Sequence, residues 1–228
     1  MIELQKFWDN IIVSEEEIER SNKSISIWNQ KVEEKKKGRV DLSSEIKNIK
    51  MTINQKEIEL TEKEEKSLKL EDRRNILKTE KELQALESEL KKILTQKNSL
   101  EEELIELFDK NDDMESELSV MNSELEESIS RADKDIENLK NGIDRYSESI
   151  EENKKKFEEL VTQLSVDVKS RFIKLIKSSN NKAIVSLEEE TCEGCNFKIP
   201  FHIVMEVLKG DQVITCTNCG KFIYRKSS

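Results

Sequence analysis

The sequence predicts a mostly α-helical chain: one long antiparallel helix hairpin, followed by a small β module. Three observations lead there. The 228 residues are 39% charged and 35% hydrophobic, with only five Gly and one Pro. That is the composition of long helices rather than of one ordinary compact core. The apolar residues recur at a period of 3.5 in two long runs. All four Cys fall close together near the C-terminal end.

The first run is Leu4, Phe7, Ile11, Ile18, Ile25, Trp28, Val32, Leu42, Ile46, Ile49, Ile53, Leu60 and Leu70. The second is Leu83, Leu86, Leu90, Ile93, Leu100, Leu104, Leu107, Met114, Leu118, Met121 and Leu125. A 3,4 alternation keeps one seam facing a partner helix along a left-handed supercoil, whereas a disordered chain has no reason to keep a period. After Leu125 the frame jumps by four and continues as Ile129, Ala132, Ile136, Leu139, Ile143, Tyr146, Ile150, Phe157, Leu160 and Leu164, a stutter that unwinds the supercoil locally. The first seam weakens at Lys35 and Arg39, beside Gly38. Trp8 and Trp28 lie on or beside this seam and read as packing residues.

Between the runs the frame is lost, and Thr79 stands three residues before Glu82 in the form of a capping box. The turn is therefore placed near residues 72–79, which makes 1–164 an antiparallel coiled-coil hairpin. At 1.5 Å per residue its arms would be on the order of 100–125 Å long. A parallel dimer of one continuous helix is the rival architecture. Because an intramolecular hairpin buries its own seam, a monomer or weak dimer is expected.

Residues 165–228 form the second expected domain. Asp167 caps a short helix, Val168 to Lys177, with Phe172, Leu175 and Ile176 on one stripe, and Ser178-Ser179-Asn180-Asn181 ends it. Ala183 to Leu187 then alternates as a strand. Phe197-Lys198-Ile199, Val213-Ile214-Thr215 and Lys221-Phe222-Ile223-Tyr224 read as further strand segments, with Pro200 closing the first of them.

The cysteines follow the pattern C-x2-C-x20-C-x2-C at Cys192, Cys195, Cys216 and Cys219. Two tight turns that each aim two thiolates at one centre suit tetrahedral zinc, and Gly194 and Gly220 stand where such knuckles need room for backbone amides to reach sulfur. The expected cofactor is one structural zinc ion in a four-cysteine zinc ribbon. A closed shell of four thiolates leaves no position for a catalytic water. His202 is surplus to that shell and reads as a surface or packing residue. The chain has no phosphate loop, dinucleotide fingerprint or metalloprotease motif. It is expected not to be an enzyme.

Net charge is −10 and unevenly spread: residues 1–164 carry 29 Lys+Arg against 42 Asp+Glu, and residues 165–228 carry 10 against 7. With no apolar run near the roughly 20 residues of a membrane span and no signal-peptide pattern, a cytoplasmic protein without membrane insertion is expected. The candidate contacts for RNA or another partner are Arg171, Lys174, Lys177, Lys182, Lys198, Lys221, Arg225 and Lys226.

Residues 190–200 (ETCEGCNFKIP), residues 213–224 (VITCTNCGKFIY) and residues 81–86 (KELQAL) resemble bacterial proteins that join a long coiled-coil hairpin to a C-terminal four-cysteine zinc ribbon. The first two segments look like that family's knuckles and strands; the third is similar to its segment just past the hairpin apex. Thr217 stands where the family often has Pro, Lys221 where it has Arg, and its Pro before the short helix is missing around Ser165 to Asp167. The resemblance implies a non-enzymatic adaptor or chaperone associated with the alternative sigma factor sigma-54 and with flagellar or related type III export systems. RNA binding, reported for some members, is the alternative.

Overall fold

The computed structural model describes residues 1–74, 76–77, 79–178 and 181–225. Asn75 and Lys78 of the expected turn, Ser179 and Asn180 of the expected helix end, and Lys226 of the candidate contacts lie outside these residues. Two long helices, α1 (Ile2–Arg74) and α2 (Glu80–Val161), pack together antiparallel. A short helix α3 (Val166–Ser178), strands β1 (Ile184–Glu188) and β2 (Thr191–Cys192), helix α4 (Phe201–Lys209) and strand β3 (Phe222–Arg225) follow. The described residues divide into two compact units, Ile27–Lys134 and a second made of Met1–Ser26 with Asp135–Ser228.

In the first unit, α1 and α2 meet along the seam the sequence marks. Ile46, Ile53, Leu70, Leu86, Ile93, Leu100, Leu104, Met114, Leu125 and Ala132 are buried. Ion pairs flank the seam. As α1 runs from Lys35 through Lys56 and Lys66 to Arg74, the partners run backwards along α2 from Glu124 through Glu103 and Glu89 to Glu87. Opposite progress of paired residues is the signature of antiparallel packing. These pairs are exposed, so they set register more than they add stability. Lys31 Nζ sits 5.2 Å from the Trp28 ring centre, which covers that aromatic.

Helix α1 passes through Lys35 to Arg39 without a break. A Cβ added to Gly38 would lie 3.3 Å from Met121 Cε, so the glycine lets the facing side chain fill the seam where Lys35 and Arg39 do not. Asn111 also occupies a seam position; it is buried, and its Oδ1 has no hydrogen-bond partner among the described residues. At the turn, Leu70, Leu86 and Ile93 close the end with Leu77 and Leu90. The Thr79 hydroxyl donates to the Glu82 carboxylate, so the two residues pair through their side chains instead of each capping the other's amide.

The second unit is built around one short sheet of strand order β2-β1-β3. β1 pairs antiparallel with β2, Leu187 opposite Cys192, and parallel with β3, Ile184 opposite Phe222. The central strand is buried on both faces. Val185 and Leu187 join Ile223, Ile199, Val204 and Val207 around the cysteines. Ile184 and Phe222 join Leu4, Val161, Phe172 and Ile176 among the helices. The rings of Trp8, Phe157, Phe172 and Phe222 follow one another at centroid spacings of 5.6, 6.1 and 6.4 Å.

One side chain clips this unit together. Gln5, 7% exposed, accepts hydrogen bonds from the backbone amides of Ala183 and Ile184 through Oε1, at 2.8 and 3.2 Å. Its Nε2 donates to Asp9 and to the Asn181 carbonyl. Helix α1 therefore supplies the hydrogen bonds that the start of β1 would otherwise lack.

Three local expectations change. Asp167 lies in the first turn of α3 rather than before it. The segments Phe197–Ile199 and Val213–Thr215 supply only the isolated bridges Thr191 to Lys198 and Thr215 to Phe222. Between them the chain forms α4, with Pro200 as its N-cap instead of a strand end and Gly210 as its left-handed C-cap, φ 71°.

Candidate metal centre

The two cysteine pairs are held by a repeated backbone device. In the first knuckle the Cys192 amide donates to the Phe197 carbonyl at 3.0 Å, and the Asn196 amide donates back to the Cys192 carbonyl at 2.8 Å. In the second, the Cys216 amide donates to the Lys221 carbonyl at 2.8 Å and the Gly220 amide to the Cys216 carbonyl at 2.9 Å. Asn196 and Gly220 occupy equivalent places just after the second cysteine of each pair, and both take the left-handed conformation, with φ of 54° and 73°. Asn and Gly tolerate that region best.

Gly194 is needed for a different reason. A Cβ there would lie 2.9 Å from Val185 Cγ1 and 3.0 Å from Lys221 Cδ, so only a residue without a side chain fits between β1 and the second knuckle. Its amide also reaches Cys192, as the amides of Phe197 and Lys221 reach Cys195 and Cys219.

The four sulfurs of Cys192, Cys195, Cys216 and Cys219 all lie within 4.8 Å of one another. Cys192 and Cys219 Sγ are 3.8 Å apart, and Cys195 and Cys216 Sγ 3.7 Å. A zinc–sulfur bond of about 2.3 Å in a regular tetrahedron requires edges of about 3.8 Å, so the donor set fits one zinc ion. No disulfide joins the four thiols.

Without a cation the cluster is electrostatically poor. Burial pushes the Cys192 thiol up to about 12, against the Gly194 amide, and burial likewise raises Cys219. At Cys195 burial is outweighed by hydrogen bonds from the Asn218 side chain and the Phe197 amide, which bring it down to about 6. A divalent ion replaces those protons and neutralises half of the thiolate charge, so metal binding here is also folding. Cys192 and Cys216 are fully enclosed in the ribbon core. The zinc is structural.

The remaining candidate residues do not form one surface. Arg171 donates through Nε to the Gly220 carbonyl at 3.2 Å and shares a cleft with Lys174. Lys198 pairs with Glu190. Lys182 and Lys221 line a separate cavity, where Lys221 is only 9% exposed. Lys177 and Arg225 are exposed, and His202 is exposed on α4.

What the sequence reading missed is the outer face of α4. Phe201, Met205 and Leu208 follow one another at helical spacing and are 65%, 40% and 42% exposed, while Val204 and Val207 turn into the core. The signal was present as apolar residues recurring every three or four positions between Pro200 and Gly210.

Residues 191–223 match the family model of the C4-type zinc ribbon domain. No curated protein matches the chain. Among solved structures, the CT398 protein of Chlamydia trachomatis is similar with a TM-score of 0.87 at 18% identity, over 98% of this chain and 94% of that one. The HP0958 protein of Helicobacter pylori gives 0.61 at 22% identity, over 100% and 96%. A protein of Mycobacterium smegmatis gives 0.57 at 15% identity, over 99% of each. The fold is therefore shared over most of the length of these proteins.

Proposed function

We propose that this chain is a non-enzymatic protein adaptor or chaperone of the bacterial cytoplasm, whose zinc ribbon holds the exposed face of α4 in a fixed shape for a protein partner. The observation that carries the reading is that face. Three large apolar side chains on one side of a nine-residue helix stay in solvent although the helix has a well-filled core below it. Exposed apolar stripes of this kind mark helix-docking surfaces. The closed thiolate shell argues for a structural metal with no reaction to support. No described helix is long and apolar enough to cross a membrane. The sequence resemblance to the hairpin and ribbon family suggests sigma-54 or a flagellar or type III export component as the partner, with the adaptor itself a monomer or weak dimer.

RNA binding is less favoured. Of the basic side chains that would serve it, Lys198 is ion-paired and Arg171 is committed to a backbone carbonyl. The deciding experiment is affinity capture from cells with the full chain and with a Phe201→Glu/Met205→Glu variant. The native chain should recover a sigma factor or an export component, and the variant should lose it while keeping one zinc per chain. Recovery of neither by the native chain overturns the family-based reading; equal recovery by the variant overturns the role of α4.

A further inference from the structure

A cavity of about 490 Å³ in the ribbon-bearing unit is lined by the start of α1, by β1 and by the residues around Gly194 and β3. Three lysines face it: Lys6 from α1, Lys182 from the approach to β1, and Lys221 from the approach to β3. None of the three makes an ion pair with a carboxylate among the described residues, and Lys221 is nine-tenths buried. Cations that line one wall without carboxylate partners of their own favour an incoming anion.

The two carboxylates on the same wall are already engaged. Asp9 accepts from Gln5 Nε2 at 2.7 Å, and Glu193 accepts from the Ser186 hydroxyl. Three lysines thus line a space whose own acids accept from Gln5 and Ser186. The Lys221 stem lies across Gly194, where only a glycine leaves room for it, so its position is fixed by the second cysteine knuckle.

We propose that this cavity is a docking site for an acidic peptide segment of a protein partner. It rests on the adaptor reading above and adds a second recognition element to it, on side chains distinct from those of α4. The walls decide the class of ligand. Asp9 and Glu193 still have lone pairs to offer peptide N–H groups, which a sugar–phosphate backbone does not carry. Tyr224, Ile2, Ile184 and Val185 supply apolar contact for a side-chain stem. An acidic peptide brings carboxylates for the lysines and N–H groups for the carboxylates; a phosphate ion brings no N–H group.

The test uses the full zinc-loaded chain and a fluorescein-labelled hexaglutamate peptide followed by anisotropy, with inorganic phosphate, an RNA hexamer and unlabelled hexaglutamate as competitors. Saturable binding of one peptide per chain is expected. It should be weakened about tenfold or more by Lys6→Gln/Lys182→Gln, which removes two charged contacts and leaves the zinc site and Lys221 untouched. Zinc content and circular dichroism of that variant should match the native chain. Absence of peptide binding, binding unchanged in the variant, or displacement by phosphate or RNA at lower concentration than by unlabelled hexaglutamate would each overturn the proposal. Partner capture that survives Lys6→Gln/Lys182→Gln but not the α4 variant would sink the cavity while sparing the adaptor reading; the reverse pattern would spare the cavity.

Discussion

Two buried amide side chains, Asn111 in residues 27–134 and Gln5 in the unit made of residues 1–26 with 135–228, are accommodated in opposite ways. In the first, Asn111 sits in the helix seam with its carbonyl oxygen unpartnered among the described residues. In the second, Gln5 is equally buried and uses both ends of its amide on four groups. A two-helix seam is one residue wide, and a polar interruption there is tolerated as a marker of register. A three-sided core with a sheet in it has strand ends to satisfy, so a buried amide becomes part of the construction.

The largest test of that contrast is metal removal. Chelation, or Cys192→Ser, should abolish amide exchange protection across residues 184–225, because structural zinc in small domains is worth roughly 10–16 kcal/mol of apparent folding energy. The helical circular dichroism signal should fall only modestly. Acid should act in the same direction, since four thiolates must be re-protonated as metal leaves. Loss of helix and ribbon together would show that the two units are not separately stabilised.

Next comes truncation of a core residue in each unit. Phe172 is fully buried between Phe157 and Phe222, and Phe172→Ala should cost about 3–5 kcal/mol in urea denaturation. Ile93→Val in the seam should cost only about 0.5–1.5 kcal/mol. The amide pair gives a change of sign. Gln5→Leu strands two buried backbone amides and should destabilise by about 2–4 kcal/mol, whereas Asn111→Leu should stabilise by about 1–2 kcal/mol. Equal signs for the two would mean that both units treat a buried amide alike.

A smaller effect is expected at the β1–β2 turn, where Glu189 and Glu190 both hold positive φ, 45° and 65°. A two-residue hairpin turn of this kind favours Asn-Gly, so Glu189→Asn/Glu190→Gly should raise the midpoint of thermal unfolding by the equivalent of about 1 kcal/mol. The smallest change is set by pH. Hydrogen bonds from Lys56, Lys66 and Lys50, and then their charge, hold Glu103, Glu89 and Glu115 below the ordinary carboxylate value of 4.5. A depressed folded-state value means stability present above that range and lost as pH falls through it. Melting of the helix pair should decline slightly under acid, and added salt should erase the difference.

Long-range regularity was legible in the sequence, and short-range competition was not. The 3.5-residue period gave both long helices, since sustained repetition outweighs any single exception; of its apolar occupants, Tyr146 alone is exposed, at 36%. The cysteine spacing identified four sulfurs that the fold brings together. Helix α4 was missed because a nine-residue segment with Phe, Ile and Val satisfies strand and helix patterns alike, and what decides between them is burial of Val204 and Val207 against the sheet. The room that Gly194 gives the first knuckle was legible, but the left-handed position beside it was not. The backbone conformation that invites glycine falls on Asn196, while Gly194 answers to Val185 and Lys221, neighbours that only the folded chain supplies.

Gln5 also sets a timetable. Its partners Asn181, Ala183 and Ile184 are more than 170 residues downstream, and ribosomes add about 5–20 residues each second. The first turns of α1 therefore spend on the order of ten seconds or more outside the exit tunnel before the groups they hold are made. During that interval Leu4 and Ile11, among the most enclosed side chains in the finished protein, are open to whatever binds nascent apolar segments.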